Sequence, residues 1–142
     1  MCIAKAADRI PAKNVFVLPN NKNIILAAEQ AKGLTKKMLH VIPTKSIPEG
    51  ISSALAFNPD GTLEENIEAM TNAKDSVKSA SVTYAVRTTH VNGFDVQTGD
   101  IIGLDNKGII AKGSLVNDTT IQLIDKLVKE DYVSVKLHDF LI

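Results

Sequence analysis

A short apolar run that leads through an asparagine-rich turn into an alanine-rich segment is the feature that most constrains this chain. The run, residues 15–18, ends at Pro19, and Asn20, Asn21 and Asn23 follow it. Because uninterrupted apolar residues are typical of a strand covered on both faces, the run predicts a strand in a parallel sheet. Ligands and partners bind at the carboxyl ends of the strands in open sheets of this kind, so the turn is a candidate binding site.

Helix and strand patterns alternate along the chain. Thr62 and Glu65 have the spacing of a capping box, in which each side chain accepts the backbone N–H of the other residue at a helix start. Apolar periodicity predicts helices over residues 3–10, 23–32, 51–57 and 63–78, and strands over residues 14–18, 38–42, 81–86 and 132–137. A loop is predicted between the second strand and the third helix, at residues 44–50.

Two groups of turn residues mark the second half of the chain. They lie at residues 98–100 and 105–108 between β-branched runs, and predict an antiparallel hairpin or meander near residues 94–113, after a loop at 88–93. Asn117 is predicted to cap a final helix. The predicted fold class is therefore α/β, with a parallel or mixed sheet, flanking helices and this antiparallel element.

Composition narrows the class of protein. A chain of 142 residues with 44% hydrophobic content predicts a single α/β domain over residues 1–142. Sixteen basic and sixteen acidic residues cancel, which removes the electrostatic argument for nucleic-acid binding. Cys2 is the single cysteine, so no internal disulfide forms and a reducing, cytoplasmic setting is expected. No apolar run approaches the roughly 20 residues that cross a bilayer, so no membrane span is expected.

The usual signatures of catalysis are absent from the sequence. No glycine-rich dinucleotide fingerprint follows the first strand, and no P-loop or nucleophile-elbow motif occurs. His40, His90 and His138 lie far apart without a second ligand at metal-binding spacing, and nothing near Cys2 would lower the pKa of its thiol. We therefore expect no catalytic residue, no metal site and no cofactor in this chain.

Two strand-end loops remain as a binding surface. Asn20, Asn21 and Asn23 lie at the start of a helix, where free backbone N–H groups attract anions, although asparagine there is also ordinary capping chemistry. Thr44 and Lys45 follow the next strand. If the two strands are parallel, both loops lie on one rim of the sheet. Lys45 then offers a charge to a phosphate or carboxylate, and the alternative is a solvated surface lysine.

Arg87 is a further candidate anchor for a partner. It follows the predicted strand at residues 81–86 and precedes the predicted loop. A guanidinium binds a partner carboxylate in bidentate fashion. The alternative is an internal salt bridge that pins this loop.

Several sequence blocks together resemble the C-terminal domain of the bacterial dihydroxyacetone-kinase-like proteins, which include the kinase subunit of fatty acid kinase. The blocks are LPNN-x-NI followed by AEQA, HVIPTKSIP-x-G, LAFNP, LEEN, VTYAVR and GDIIG, at residues 18–31, 40–50, 55–59, 63–66, 82–87 and 99–103. They occur in the same order in that family. The resemblance implies that the chain is a fragment of a larger C-terminal domain, and the alternative is a divergent short relative of that family.

The resemblance also implies a function for the parent protein. In that family an amino-terminal helical domain binds ATP and Mg²⁺, and the enzyme phosphorylates a fatty acid that a separate DegV-type fatty-acid-binding protein presents. The C-terminal domain is expected to engage that carrier without being catalytic. The alternative is a small-ligand-binding or catalytic lobe of a dihydroxyacetone-kinase-like enzyme, with its site around Asn20 and Lys45. A trimmed sheet edge would also allow homo-oligomers.

Overall fold

The computed structural model of the chain describes residues 2–128. The predicted strand at 132–137 and His138 lie outside these residues. The chain divides into two compact units, Met1–Val77 and Lys78–Ile142. Both contain helices and strands, and the pairing is parallel in the first and antiparallel in the second, which confirms the α/β class. The single domain over the whole chain stays a prediction.

The first unit combines four α-helices with a two-stranded parallel sheet. Its elements, in chain order, are α1 (Ile3–Asp8), β1 (Asn14–Val17), α2 (Lys22–Ala31), a 3-10 turn (Lys32–Leu34), β2 (Met38–Val41), α3 (Ile47–Leu55) and α4 (Leu63–Asp75). β1 and β2 pair in parallel, from Asn14 opposite Met38 to Val17 opposite Val41. The core of the sheet is formed by Ala4, Ala7, Val15, Ala31 and Leu39. The alanines lack bulk, so the helices lie close to the strands.

α3 and α4 form a helix pair in the same unit. The Ser53 hydroxyl is fully buried and donates to the carbonyl of Met70, 2.8 Å away. The predicted capping box is confirmed, because Thr62 N–H donates to Glu65 Oε2 and Glu65 N–H donates to Thr62 Oγ1. α3 begins at Ile47, where the sequence predicted a loop. Ser46 is its N-cap.

Over its described residues, 78–128, the second unit is built from antiparallel strands and one helix. Its elements are β3 (Ala80–Tyr84), β4 (Thr89–Val91), β5 (Phe94–Val96), β6 (Ile101–Asp105), β7 (Gly108–Gly113) and α5 (Val116–Leu127). The strand order β3-β6-β7 forms one sheet, and β4 pairs with β5 in a separate hairpin. The predicted antiparallel element is the β6–β7 pair. The hydrophobic core of the second unit includes Ala85, Val96, Ile102 and Ile109.

Two local predictions in this unit are wrong. The predicted loop at 88–93 contains β4, because Asn92 and Gly93 both have positive φ, 53° and 79°, and close a two-residue hairpin into β5. Asn117 does not cap α5. The helix starts one residue earlier, Leu115 occupies the N-cap position without a side-chain cap, and Asn117 lies inside the first turn.

Candidate functional site

The loops that leave β1 and β2 lie at the same end of the sheet, because the two strands are parallel. We call this surface the rim and define it as residues 19–23 after β1 and residues 43–46 after β2. The rim contains five of the six site residues that the sequence predicted: Asn20, Asn21, Asn23, Thr44 and Lys45. Their convergence is a property of the fold, whereas their role in binding stays a prediction.

Asn20 and Thr44 join the two loops through a reciprocal pair of hydrogen bonds. The backbone N–H of Asn20 donates to Thr44 Oγ1 at 3.0 Å, and the same hydroxyl donates to Asn20 Oδ1 at 2.8 Å. The Thr44 side chain is fully buried. Asn20 has a φ of 57°, in the left-handed region that asparagine tolerates better than most residues. The two loops are thereby held in one conformation.

Gly50 in α3 accommodates the Asn20 side chain. A Cβ atom at Gly50 would lie 2.0 Å from Asn20 Oδ1 and 2.6 Å from Asn20 Cγ. No real contact is that short, so any larger residue would displace the Asn20 carboxamide. The first turn of α3 can therefore pack closely against Asn20 because Gly50 has no side chain.

Glu49 supports the other side of the same loop. Its side chain is buried, and Oε2 accepts the backbone N–H of Lys45 at 2.6 Å. The Ser46 hydroxyl accepts the N–H of Glu49 at 3.4 Å, which begins α3. Serine followed three residues later by glutamate is a capping signal that the sequence carries and that the predicted loop overlooked. The backbone of Lys45 is fixed as a result.

The other predicted side chains of the rim differ in whether they already form a hydrogen bond. Asn21 is the N-cap of α2 and accepts the N–H of Asn23 at 2.9 Å, so the capping interpretation is correct for its oxygen. Lys45 and Asn23 are exposed. Among residues 2–128 neither side chain forms a hydrogen bond or ion pair. A cation and a carboxamide are therefore presented to solvent on a fixed backbone.

Arg87 belongs to the second unit and lies in the turn between β3 and β4. It is exposed, and its guanidinium forms no ion pair with any residue from 2 to 128. The neighbouring backbone is held instead by Ala85, whose N–H donates to the Asp100 carbonyl and whose carbonyl accepts from Gly99, both at 2.8 Å. Within the described chain the turn is thus fixed without Arg87.

Asp100 is the titratable group with a clear shift in this part of the chain. Its pKa is lowered, because the carboxylate accepts a hydrogen bond from Lys112, with 2.8 Å between Nζ and Oδ2, and another from the N–H of Gln97. The contact ties β7 to the turn before β6. We assign it to structure, since both partners belong to the same hairpin region.

The histidines have separate environments. His40 Nε2 lies 3.1 Å from Asn14 Oδ1 on the neighbouring strand, and its ring contacts Phe16. His90 Nδ1 lies 2.5 Å from Asp95 Oδ1 on the exposed β4–β5 hairpin. In the part of the chain from 2 to 128, no three potential metal ligands are grouped together.

Over the same residues, the helices are too short or too polar to cross a membrane.

Comparison with known proteins identifies the family. Residues 2–137 match the family of FakA-like fatty acid kinase C-terminal domains. Protein YloV of Bacillus subtilis (strain 168) is 41% identical over 129 residues, which are 91% of this chain and 23% of that protein. An uncharacterized protein of Staphylococcus aureus (strain USA300) is 40% identical over 129 residues, 91% of this chain and 24% of that protein.

The chain therefore spans about a quarter of the length of these relatives. The resemblance carried by the sequence blocks is confirmed, since the family match covers all of them. On this evidence the chain belongs to the family of FakA-like fatty acid kinase C-terminal domains.

Proposed function

We propose that this chain is a non-catalytic region of a longer fatty acid kinase, and that its rim binds the DegV-type protein that carries the fatty acid. Family membership supports the kinase context. The relatives are about four times as long as the aligned segment, which leaves room for a nucleotide-binding domain elsewhere in the protein. ATP and Mg²⁺ are accordingly assigned to that other part.

The locked rim is the observation that carries the proposal. The Asn20–Thr44 hydrogen bonds, the close approach of Gly50 and the Glu49 carboxylate fix the backbone of the loops that follow β1 and β2. A fixed loop loses little conformational entropy on binding, so its contacts contribute more fully to affinity. Preorganisation of this kind supports a recognition surface.

Lys45 contributes a positive charge to the rim. The ammonium is exposed and has no partner among the described residues. The total charge of the chain is zero, so long-range attraction is weak and affinity has to come from local contacts. We propose that Lys45 binds a carboxylate on the carrier, and that the exposed amide of Asn23 on the same rim contributes a further contact.

Calorimetric titration tests the proposal. The 142-residue chain is titrated with the fatty-acid-loaded DegV-type protein of the same organism, and in a parallel experiment with Mg-ATP. We expect micromolar binding of the carrier and no heat with Mg-ATP. Micromolar binding of Mg-ATP would favour the alternative, a ligand-binding or catalytic lobe, and absence of carrier binding would remove the partner-binding role.

A further inference from the structure

We propose that the end of the β1–β2 sheet opposite the rim binds the surface of a membrane that contains anionic phospholipids. We call this surface the basic end and define it as residues 9–13, before β1, and residues 32–38, up to the first residue of β2. The inference goes beyond the proposed function, because carrier binding is assigned to the other end of the same two strands.

Hydrogen bonds hold the two segments of the basic end together. β1 and β2 are parallel, so the residues that precede them lie at the same end of the sheet. Lys37 Nζ donates to the carbonyl of Ala12 at 2.8 Å, and the Thr35 hydroxyl donates to the carboxylate of Asp8. Each segment connects a described helix to a described strand, so the chain itself forms this surface.

Positive charge is concentrated at the basic end. Its twelve residues hold five of the sixteen basic residues of the chain and none of the sixteen acidic ones. Arg9, Lys13 and Lys36 are exposed, and their side chains have no partner among residues 2–128. The acidic residues that flank the two segments most closely, Asp8 and Glu29, already have partners. The zero total charge of the chain therefore conceals a local excess of cations.

Exposed apolar side chains lie among these cations. Ile10 is 41% exposed, Leu34 68% and Met38 48%. One exposed apolar residue is ordinary at a protein surface, but here three share a small surface with five cations. Peripheral membrane binding uses this combination, because cations attract anionic head groups while apolar side chains enter the boundary of the acyl chains.

The apolar side chains also decide between possible partners. The phosphates of nucleic acid would match the cations, but they would leave the apolar side chains in water. An acidic protein would need an apolar patch of matching shape. A bilayer satisfies both kinds of residue without a shaped partner. Four of the five cations are lysines, whose aliphatic stems can lie along apolar surface while the ammonium reaches the head groups.

Vesicle sedimentation tests the proposal. The full-length protein is mixed with vesicles of phosphatidylcholine alone, or of equal parts phosphatidylcholine and phosphatidylglycerol. We expect it to sediment with the anionic vesicles and to be released by added salt, which screens the attraction between exposed charges. Absence of binding to the anionic vesicles, or equal binding to both kinds, would overturn the proposal.

Charge reversal locates the surface. Lys13→Glu should lower the partition coefficient on anionic vesicles at least about fivefold, which is the typical contribution of one basic residue near such a surface. Lys107→Glu is the matched control, because Lys107 is exposed in the turn between β6 and β7 and the charge change is the same. Equal partition of the two variants would exclude the basic end as the lipid-binding surface.

An apolar substitution separates a bilayer from an acidic macromolecule. Leu34→Ser should weaken vesicle binding roughly tenfold, since a leucine side chain removed from water contributes about that much. Ile121→Ser is the control, because Ile121 is 58% exposed in α5, outside the basic end. If Leu34→Ser binds vesicles as well as Ile121→Ser does, the attraction is one of charge alone and the membrane proposal is wrong. All four substituted positions are exposed, so the melting temperatures should stay unchanged.

Discussion

The hydroxyl of Thr44 accepts the backbone N–H of Asn20 and donates to the side chain of the same residue. This single buried group therefore connects the loop after β1 to the loop after β2. Asn20 has a left-handed backbone conformation, and both of its bonds to Thr44 help to stabilise that conformation. The shape of the rim depends on this pair, and its binding role depends on the residues that the pair positions.

Removal of the hydroxyl should destabilise the first unit. Thr44→Val keeps the shape of the side chain but leaves the N–H and Oδ1 of Asn20 without their partner, which typically costs about 1–3 kcal/mol. Urea unfolding measures the loss. Thr71→Val is the control, because Thr71 is half-buried in α4 and its hydroxyl has no partner within the described residues. Equal stability of the two variants would show that the Asn20–Thr44 bonds contribute nothing.

Gly50→Ala should be destabilising even though it adds a good helix former. Alanine normally stabilises a helix relative to glycine by roughly 0.5–1 kcal/mol. At Gly50 the new methyl group would meet Asn20 Oδ1 at 2.0 Å, so the Asn20 side chain has to move. Gly33→Ala is the matched control, since nothing lies within 4 Å of a Cβ there.

A double-mutant cycle identifies the cause of that loss. Asn20→Gly removes the opposing carboxamide and tolerates the positive φ. In the Asn20→Gly background, Gly50→Ala should therefore be neutral or stabilising by thermal unfolding. The same destabilisation in both backgrounds would mean that the clash with Asn20 is not its origin.

Acid should weaken the second unit through Asp100. The pKa of this carboxyl is lower in the folded protein than in the unfolded chain, where aspartate titrates near about 3.9. The stabilisation is therefore complete above that unfolded value and is lost as the pH falls through the folded pKa. Asp100→Asn should reduce the melting temperature at neutral pH, and the difference from the unmodified chain should shrink below about pH 4. A pH-independent difference would exclude the charge as its source.

Arg87→Ala separates binding from structure at the second candidate anchor. The guanidinium is exposed and unpaired within residues 2–128. The substitution should therefore change the free energy of unfolding by no more than about 0.5 kcal/mol, as is typical of surface positions, with a correspondingly small change in melting temperature. Reduced carrier affinity of the full-length variant would support an anchor. A clear loss of thermal stability would support the internal salt bridge.

Local chemistry explains which parts of the fold were predictable. β1 and β2 were located within a residue of their ends, because apolar runs flanked by prolines are visible without tertiary information. β4 and the start of α3 were missed although the signals are present, an Asn92–Gly93 turn and a Ser46–Glu49 cap. Both signals are short, and each lies in a segment whose other residues are typical of loops.

The rim was predictable in outline but not in detail. Parallel pairing of the strands was enough to bring the two loops to one end of the sheet. The Asn20–Thr44 bonds join residues 24 positions apart, and the Gly50 contact depends on how α3 packs. Such contacts depend on how segments that are distant in sequence pack together.

Charge reversal at Lys45 tests the central claim most directly. Lys45→Glu and Lys36→Glu make the same change in net charge, but Lys45 follows β2 on the rim and Lys36 precedes it at the opposite end of the strand. Carrier affinity of the 142-residue chain is measured by calorimetry for both variants. Lys45→Glu should weaken binding at least about tenfold, or 1.4 kcal/mol, with unchanged melting temperature, and Lys36→Glu should bind as the unmodified chain does. Equal affinities for the two variants would contradict carrier binding at the rim.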